Sequence, residues 1–392
     1  MNKTSARPRR WATWLLALAL VGSVLAACGD DDTAAEPADD ATDTAAGTET
    51  ETETPAEDAE PPGDETEVAE ETAPAEDPPA TTETDDDSTA AAAGAFPLTL
   101  EQPSGAVTIE VAPERIYVVD AWALDLVTAL GIVPVGAATF SPPPSYIEPG
   151  EFDLSTVTII DGGLNAEAIA ATQPDLIIDA SGFFTQADTS LLETLSGIAP
   201  VLGPPGDYLT TGWRERMLHV AAAVGRTAEA EALIADAEGR LTEIRSEFPE
   251  LDGAAVTFAQ YLAETTTFNA VAGDEDFTRA YLNAEFGLTT PEPQLAAFES
   301  GEFEMIGGVL VVSLERVDLV VHGADAAIVF VFGDPAALDS QPVWTNLPLV
   351  ADGGAIAVDL EGVFALRTPS PAAIEYTATE LMPALAAAIT GS

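Results

Sequence analysis

Residues 228–248 read AEAEALIADAEGRLTEIRSEF. Leu233, Ile234, Ala237, Leu241, Ile244 and Phe248 recur at three- and four-residue spacing. That pattern lays one apolar stripe along a helix of about 20 residues, about 30 Å long. Thr227 is placed to cap its start, and Pro249 follows its end. A helix of this length must bury its stripe against something, and it divides the rest of the folded chain into comparable halves, 96–226 and 249–392.

Each half alternates apolar runs with helix-like stretches. Segments 107–111, 115–119, 175–180, 255–259, 309–312 and 326–332 read as strands. Several are continuously apolar, which suits strands covered on both faces of a parallel sheet. Helical patterns fall near 122–130, 165–172, 187–198 and 276–287. Strand and helix in alternation predict an α/β fold: two Rossmann-like α/β lobes joined by a single long α-helix over 227–248.

The first 95 residues differ in kind. Lys3, Arg7, Arg9 and Arg10 precede an apolar stretch, 11–25, of about 15 residues, short for a membrane span and right for a secretory signal. Leu25-Ala26-Ala27-Cys28-Gly29 follows, and Cys28 is the single cysteine of the chain. No intramolecular disulfide can form, so the fold must rest on its apolar core. Residues 29–95 hold 24 acids and no Lys or Arg, with almost no large apolar side chain. Such a segment cannot offset its chain entropy by burial and is expected to be a disordered tether. Like charges stretch it, to about 200 Å when fully extended.

The whole chain carries a formal charge of −54, and residues 96–392 set 43 acids against nine arginines and no lysine. A surface of that sign does not hold polyanions, so nucleic acid is excluded as a partner. Two histidines, His219 and His322, are too few for the multi-histidine sites that take free zinc or manganese. No metal site is expected from them. A Ser-His-acid triad would have to use one of these two, and no Gly-x-Ser-x-Gly elbow, P-loop or Gly-x-Gly-x-x-Gly occurs. No catalytic residue is assigned, and the chain does not read as an enzyme.

Five segments carry a family resemblance. PERIYVV at 113–119, LDLVTALGIVPVG at 124–136, LNAEAIAATQPDLII at 164–178, PVWTNLPLV at 342–350 and RTPSP at 367–371 occur in the order found in the ABC-transporter binding proteins for iron–siderophore, haem and cobalamin. The likeness covers nearly all of 96–392; the acidic tether and a segment around 299–311 depart from it. The leader resembles that of bacterial lipoproteins. The resemblance implies a signal peptide at 1–27, a lipidated Cys28 heading the tether at 28–95, an N-terminal lobe at 96–226, the helix at 227–248 and a C-terminal lobe at 249–392. It implies a monomer held at the extracytoplasmic face of the cell membrane, with a ligand cleft between the lobes. It also implies an importer partner, an ABC permease with its cytoplasmic ATPase, and an iron(III)–siderophore ligand in place of any resident cofactor. Haem or cobalamin cargo, or a sensing or scavenging lipoprotein without a permease, are the alternatives. The residues leave hydroxamate, catecholate and carboxylate chelates all open.

Two sets of residues follow. Glu167 and Glu315 match the positions where this class presents one surface glutamate per lobe to permease arginines; such charge-assisted pairs fix geometry and speed encounter. An acid in the first turn of a helix is equally favoured by the macrodipole alone. In α/β folds the cleft is lined by residues just beyond strand ends, which nominates Trp122, Phe183, Phe184, Tyr208, Tyr261, Phe332 and Arg367. Aromatic faces can pack on a chelate's apolar body and Arg367 can meet an anionic one.

Overall fold

The computed structural model describes residues 96–391, apart from Gly162, Ala187 and Gly307. The leader, Cys28 and the acidic tether lie outside the described residues.

An antiparallel pair, β1 (Leu98–Leu100) and β2 (Val107–Ile109), opens the fold. Five parallel strands follow: β3 (Ile116–Val118), β4 (Gly136–Thr139), β5 (Thr158–Ile159), β6 (Leu176–Ile178) and β7 (Val201–Leu202), in the order β5-β4-β3-β6-β7. Every residue of β3 and β6 is buried, as continuous apolar runs at the centre of a sheet covered on both faces require. The chain winds outward from β3 on one side and then returns to its other side as β6. The carboxyl ends of β3 and β6 therefore flank a topological switch point, where an open α/β sheet leaves a crevice.

The second sheet holds β8 (Val256–Leu262), β9 (Thr267–Val271), β10 (Glu304–Ile306), β11 (Val309–Ser313), β12 (Ala326–Phe332) and β13 (Ala355–Val358), in the order β10-β11-β9-β8-β12-β13. Strands β8, β12 and β13 run parallel; β9, β11 and β10 extend the sheet by antiparallel pairing. The segment around 299–311 that departs from the family pattern thus becomes a hairpin on one edge. All seven residues of β8 are buried, and successive side chains serve different cores. Val256 and Phe258 join the cluster that also contains Ile116 and Trp122, whereas Ala259 and Tyr261 pack with Phe268, Val312 and Trp344.

Between the sheets in chain order runs a 21-residue helix, Thr227–Glu247. Its stripe is buried through Ala230, Ala237, Leu241 and Ile244. Thr227 is its first residue rather than its cap; Arg226 holds the cap position, caps no backbone N–H, and pairs instead with the Glu229 carboxylate at 2.9 Å. Pro249 begins a short 3-10 turn, Pro249–Leu251, as expected of a residue that cannot continue the helix. The buried stripe belongs to one apolar cluster that takes residues from both sheets and from the C-terminal helices Pro371–Tyr376 and Met382–Thr390.

Polar bonds reinforce this shared core. Ser370 caps Pro371–Tyr376 through Ala373 N and donates its hydroxyl to the buried carboxylate of Asp125, on the helix Ala121–Ala129. Arg214 reaches Glu238 and Glu285, each at 2.6 Å, tying Trp213–Ala223 to the long helix and to Phe277–Phe286. A core that crosses the chain in this way should not melt lobe by lobe. Urea unfolding followed by tryptophan fluorescence and by far-UV circular dichroism should give one coincident transition. Ile244→Ala should lower the unfolding free energy by about 2–5 kcal/mol without splitting it.

Candidate functional site

A cleft opens where the carboxyl ends of the first sheet face the second. From β3 come Asp120 and Trp122, from the end of β4 Phe140 and Ser141, and from beyond β6 Ser181 and Phe183. Tyr208 and Leu209 close that side. The opposite wall is built by Gln260, Asn269, Val271, Phe277, Phe332 and Arg367. The cleft opens to solvent, and the space counted out into its mouth amounts to about 1540 Å³.

The floor is held by one buried arginine. Arg216, on the helix Trp213–Ala223, is 1% exposed. Its guanidinium donates to the carbonyls of Thr211 at 3.1 Å, Tyr208 at 2.7 Å, Ser181 at 3.3 Å and Ala180. It lies over the Trp122 ring, 4.5 Å from the centroid. Two buried carboxylates stand near it. Asp120 caps Ala121–Ala129 by accepting from Ala123 N at 2.7 Å, and accepts from Ser181 N at 3.3 Å. Asp179 accepts from Phe184 N at 2.9 Å and Thr185 N at 2.7 Å, and from the Ser181 hydroxyl at 2.8 Å. Burial lifts both carboxyls above the usual range; the hydrogen bonds oppose the shift without reversing it, and Arg216 opposes it at Asp120. Burial pulls the Arg216 guanidinium down to about 10, against the pull of Asp120 and Asp179, so it stays charged at neutral pH.

Trp122 then spans the cleft. Its indole N–H donates to Pro369 O at 3.0 Å, and its ring stacks at 6.0 Å on Phe277. Phe277 N donates to Leu209 O at 3.1 Å. Arg367 sits 5.4 Å from the centre of the Phe277 ring and pairs with Asp276 at 3.2 Å. Cation, two rings and cation thus form a ladder from one wall to the other.

Of the residues nominated from strand ends, Trp122, Phe183, Tyr208, Phe332 and Arg367 line the cleft. Phe184 and Tyr261 do not. Phe184 is 3% exposed and turns into the core beneath the first sheet with Ile169 and Leu195. Tyr261 is 1% exposed and packs on Phe268 at 4.9 Å. The strand period of two sends its neighbour Gln260 into the cleft instead. Gln260 pairs across strands with Asn269, and both line the wall. Sequence reasoning missed this pair because β9 was not read as a strand; Gln260 alone, polar within an apolar run, was the available signal. It also missed Phe277, which follows the helix-capping Asp276.

Glu167 is exposed in the first turn of Ala166–Ala171, where Asn165 caps the helix at Ala168 N, 3.1 Å away. Glu315 is exposed in the 3-10 turn Leu314–Arg316, in the part of the chain that forms the second sheet. His219 is 9% exposed and outside the cleft, its Nε2 without a hydrogen-bond partner among the described residues, and burial lowers its pKa to about 4. His322 caps the end of Asp318–Val321. Among the described residues no three His, Cys, Asp or Glu side chains are grouped to hold a metal ion.

Comparison with known proteins adds to this geometry. Residues 116–286 match the periplasmic binding protein family model. The chain is 24% identical over 260 residues, 63% of its own length and 75% of the relative's, to a probable siderophore-binding lipoprotein of Bacillus subtilis. Among solved structures it is similar to PiaA, an iron uptake ABC transporter substrate-binding protein of Streptococcus pneumoniae. The identity there is 26%, the TM-score 0.59, and coverage 75% of this chain and 100% of that one. PiaA in complex with ferrichrome gives 26% and 0.60, covering 75% of this chain and 99% of that one. A periplasmic solute binding protein of Mycobacterium smegmatis shares the fold at 23% identity and TM-score 0.61, covering 74% of this chain and 98% of that one.

The buried carboxyl of Asp125, bonded to Ser370 in the shared core, makes a pH prediction. Burial raises Asp125 to about 7, and the Ser370 hydrogen bond only partly offsets it. A folded pKa above the unfolded value means that the native state binds the extra proton. Its stability contribution is full below about pH 4 and is lost as pH rises through about 7. Asp125→Asn should therefore gain stability relative to wild type between pH 5 and pH 8, measured as the difference between two urea-melt series.

Proposed function

We propose that this chain, which carries a periplasmic binding protein domain over residues 116–286, is the extracytoplasmic solute-binding component of an ABC importer for an iron(III)–siderophore complex. It captures the chelate between its lobes and hands it to a membrane permease powered by a cytoplasmic ATPase. It catalyses no reaction. The observation that carries this reading is the aromatic cleft at the carboxyl ends of the first sheet, in a chain 26% identical across the whole length of an iron-uptake binding protein. The wall offers apolar rings for the body of a chelate and amide, hydroxyl and charged groups for its rim.

Lipidation of Cys28 would anchor the protein at the outer face of the membrane, with residues 29–95 as the leash. The likeness to a named lipoprotein supports this placement. Glu167 and Glu315 dock the permease. Both are exposed, both lie outside the cleft, and each stands in the part of the chain that builds one of the two sheets. Closure on the ligand is a small movement, because the shared core and the Trp122–Pro369 bond resist a wide hinge.

Titration of the full chain with ferric chelates should quench tryptophan fluorescence saturably at micromolar concentrations or below, with Trp122 in the cleft as reporter. Saturation by haem or cobalamin alone would replace the cargo and keep the transport role. In cells, Glu167→Ala with Glu315→Ala should leave chelate affinity within about twofold and cut uptake at least about tenfold. Undiminished uptake would remove the docking assignment and favour a sensor or scavenger.

A further inference from the structure

The charge on the cleft wall restricts what can enter it. Three carboxylates face the cavity, Asp120, Glu275 and Asp276. Among the described residues that line it, Arg367 is the only cation, and Asp276 already pairs with it at 3.2 Å. Arg216 lies close by but is 1% exposed and spends its donors on backbone carbonyls, so it cannot bond a ligand. Burial favours the protonated form of Asp120. Even with that carboxyl neutral, Glu275 leaves the wall with one negative charge in excess. Beside the Asp276–Arg367 pair, two uncharged groups are set deep in the opposite wall: Gln260 is 8% and Asn269 4% exposed, side by side on β8 and β9. Neither carboxamide is engaged in a side-chain hydrogen bond among the described residues. Outside the cleft the field has the same sign, since 43 acids face nine arginines over residues 96–392. Low-dielectric walls focus such a field on the opening.

We propose that the cleft selects ferric chelates of zero or positive net charge, of the trihydroxamate class, and rejects triply negative tris-catecholates. This rests on the siderophore reading above. Three hydroxamate anions balance the charge of ferric iron, and a pendant ammonium adds one positive charge. Three catecholates deliver six negative charges and leave the complex strongly anionic. A neutral hydroxamate chelate meets the cleft with amide and oxygen groups that the Gln260 and Asn269 carboxamides can both donate to and accept from. An anionic chelate must instead approach a wall on which the charge of Arg367 is balanced by Asp276 and that of Glu275 is left over. Arg367 keeps N–H donors beyond the one on Asp276, but its charge is already offset by that carboxylate, so it adds no net positive charge to the wall.

The test uses the full chain and three probes: ferrichrome, uncharged; ferrioxamine B, singly positive; and ferric enterobactin, triply negative. Fluorescence titration should give at least about tenfold tighter binding of the first two than of the third at low salt. Raising the ionic strength should narrow the gap, because screening acts on charge and leaves shape untouched. Glu275→Gln should narrow it too, by improving ferric enterobactin at least about threefold relative to ferrichrome. Tighter or equal binding of ferric enterobactin overturns the charge inference and leaves the siderophore reading standing. A gap that ignores both salt and Glu275→Gln belongs to shape and also overturns it. Failure of all three chelates to bind overturns the siderophore reading itself, and this inference with it.

Discussion

A buried guanidinium holds the first lobe's half of the cleft together. Arg216 collects carbonyls from beyond β6 and from the 207–211 loop, and its flat face supports Trp122. A cation so enclosed is tolerated only if its donors are satisfied, as the carbonyls of Ala180, Ser181, Tyr208 and Thr211 do here, and Asp120 and Asp179 stand close enough to favour its charged form. The same two carboxylates cap the helices that leave β3 and β6. One charged cluster thus fixes the two strand ends that bound the switch point, and with them the aromatic side chains that follow. The cleft is rigid on this wall because its backbone is hydrogen-bonded from within.

The opposite wall is arranged differently. There the period of two along β8 and β9 decides which side chains see the cavity, and the pairing of Gln260 with Asn269 places both carboxamides on one patch. Phe277 and Arg367 then reach across toward Trp122. The second lobe sets carboxamides and an ion pair beside its rings, whereas the first offers rings and a capped helix start.

Much of this was legible before any coordinates. The central strands announced themselves as continuous apolar runs, because burial on both faces leaves no room for alternation, and the long helix was visible in its stripe from Leu233 to Ile244. The short strands at 136–139, 158–159 and 201–202 were missed, since two to four residues paired in a sheet carry no period. Tyr261 reads as a cleft residue from sequence because it is an aromatic near a strand end; only the facing of β8, set by which neighbours it packs on, moves the role to Gln260. Phe184 fails for a similar reason, as adjacent residues on a helix point about 100° apart and only Phe183 turns to the cleft. Arg216 was not singled out at all. Nothing in the local string WRERMLH distinguishes the arginine that will be buried from Arg214, which stays partly exposed and makes ion pairs.

The helices Pro371–Tyr376 and Met382–Thr390 pack into the same cluster as Ile116 and Trp122, and Ser370 closes on Asp125. A polypeptide emerges from its N-terminus, so the first sheet is made long before the residues that finish its core. Until the segment beyond 370 has emerged, Asp125 lacks its partner and the apolar face of Ala121–Ala129 lacks part of its cover. Completion of the first lobe is therefore deferred to the final stage of synthesis. The same arrangement that stiffens the mature protein thus also times its maturation.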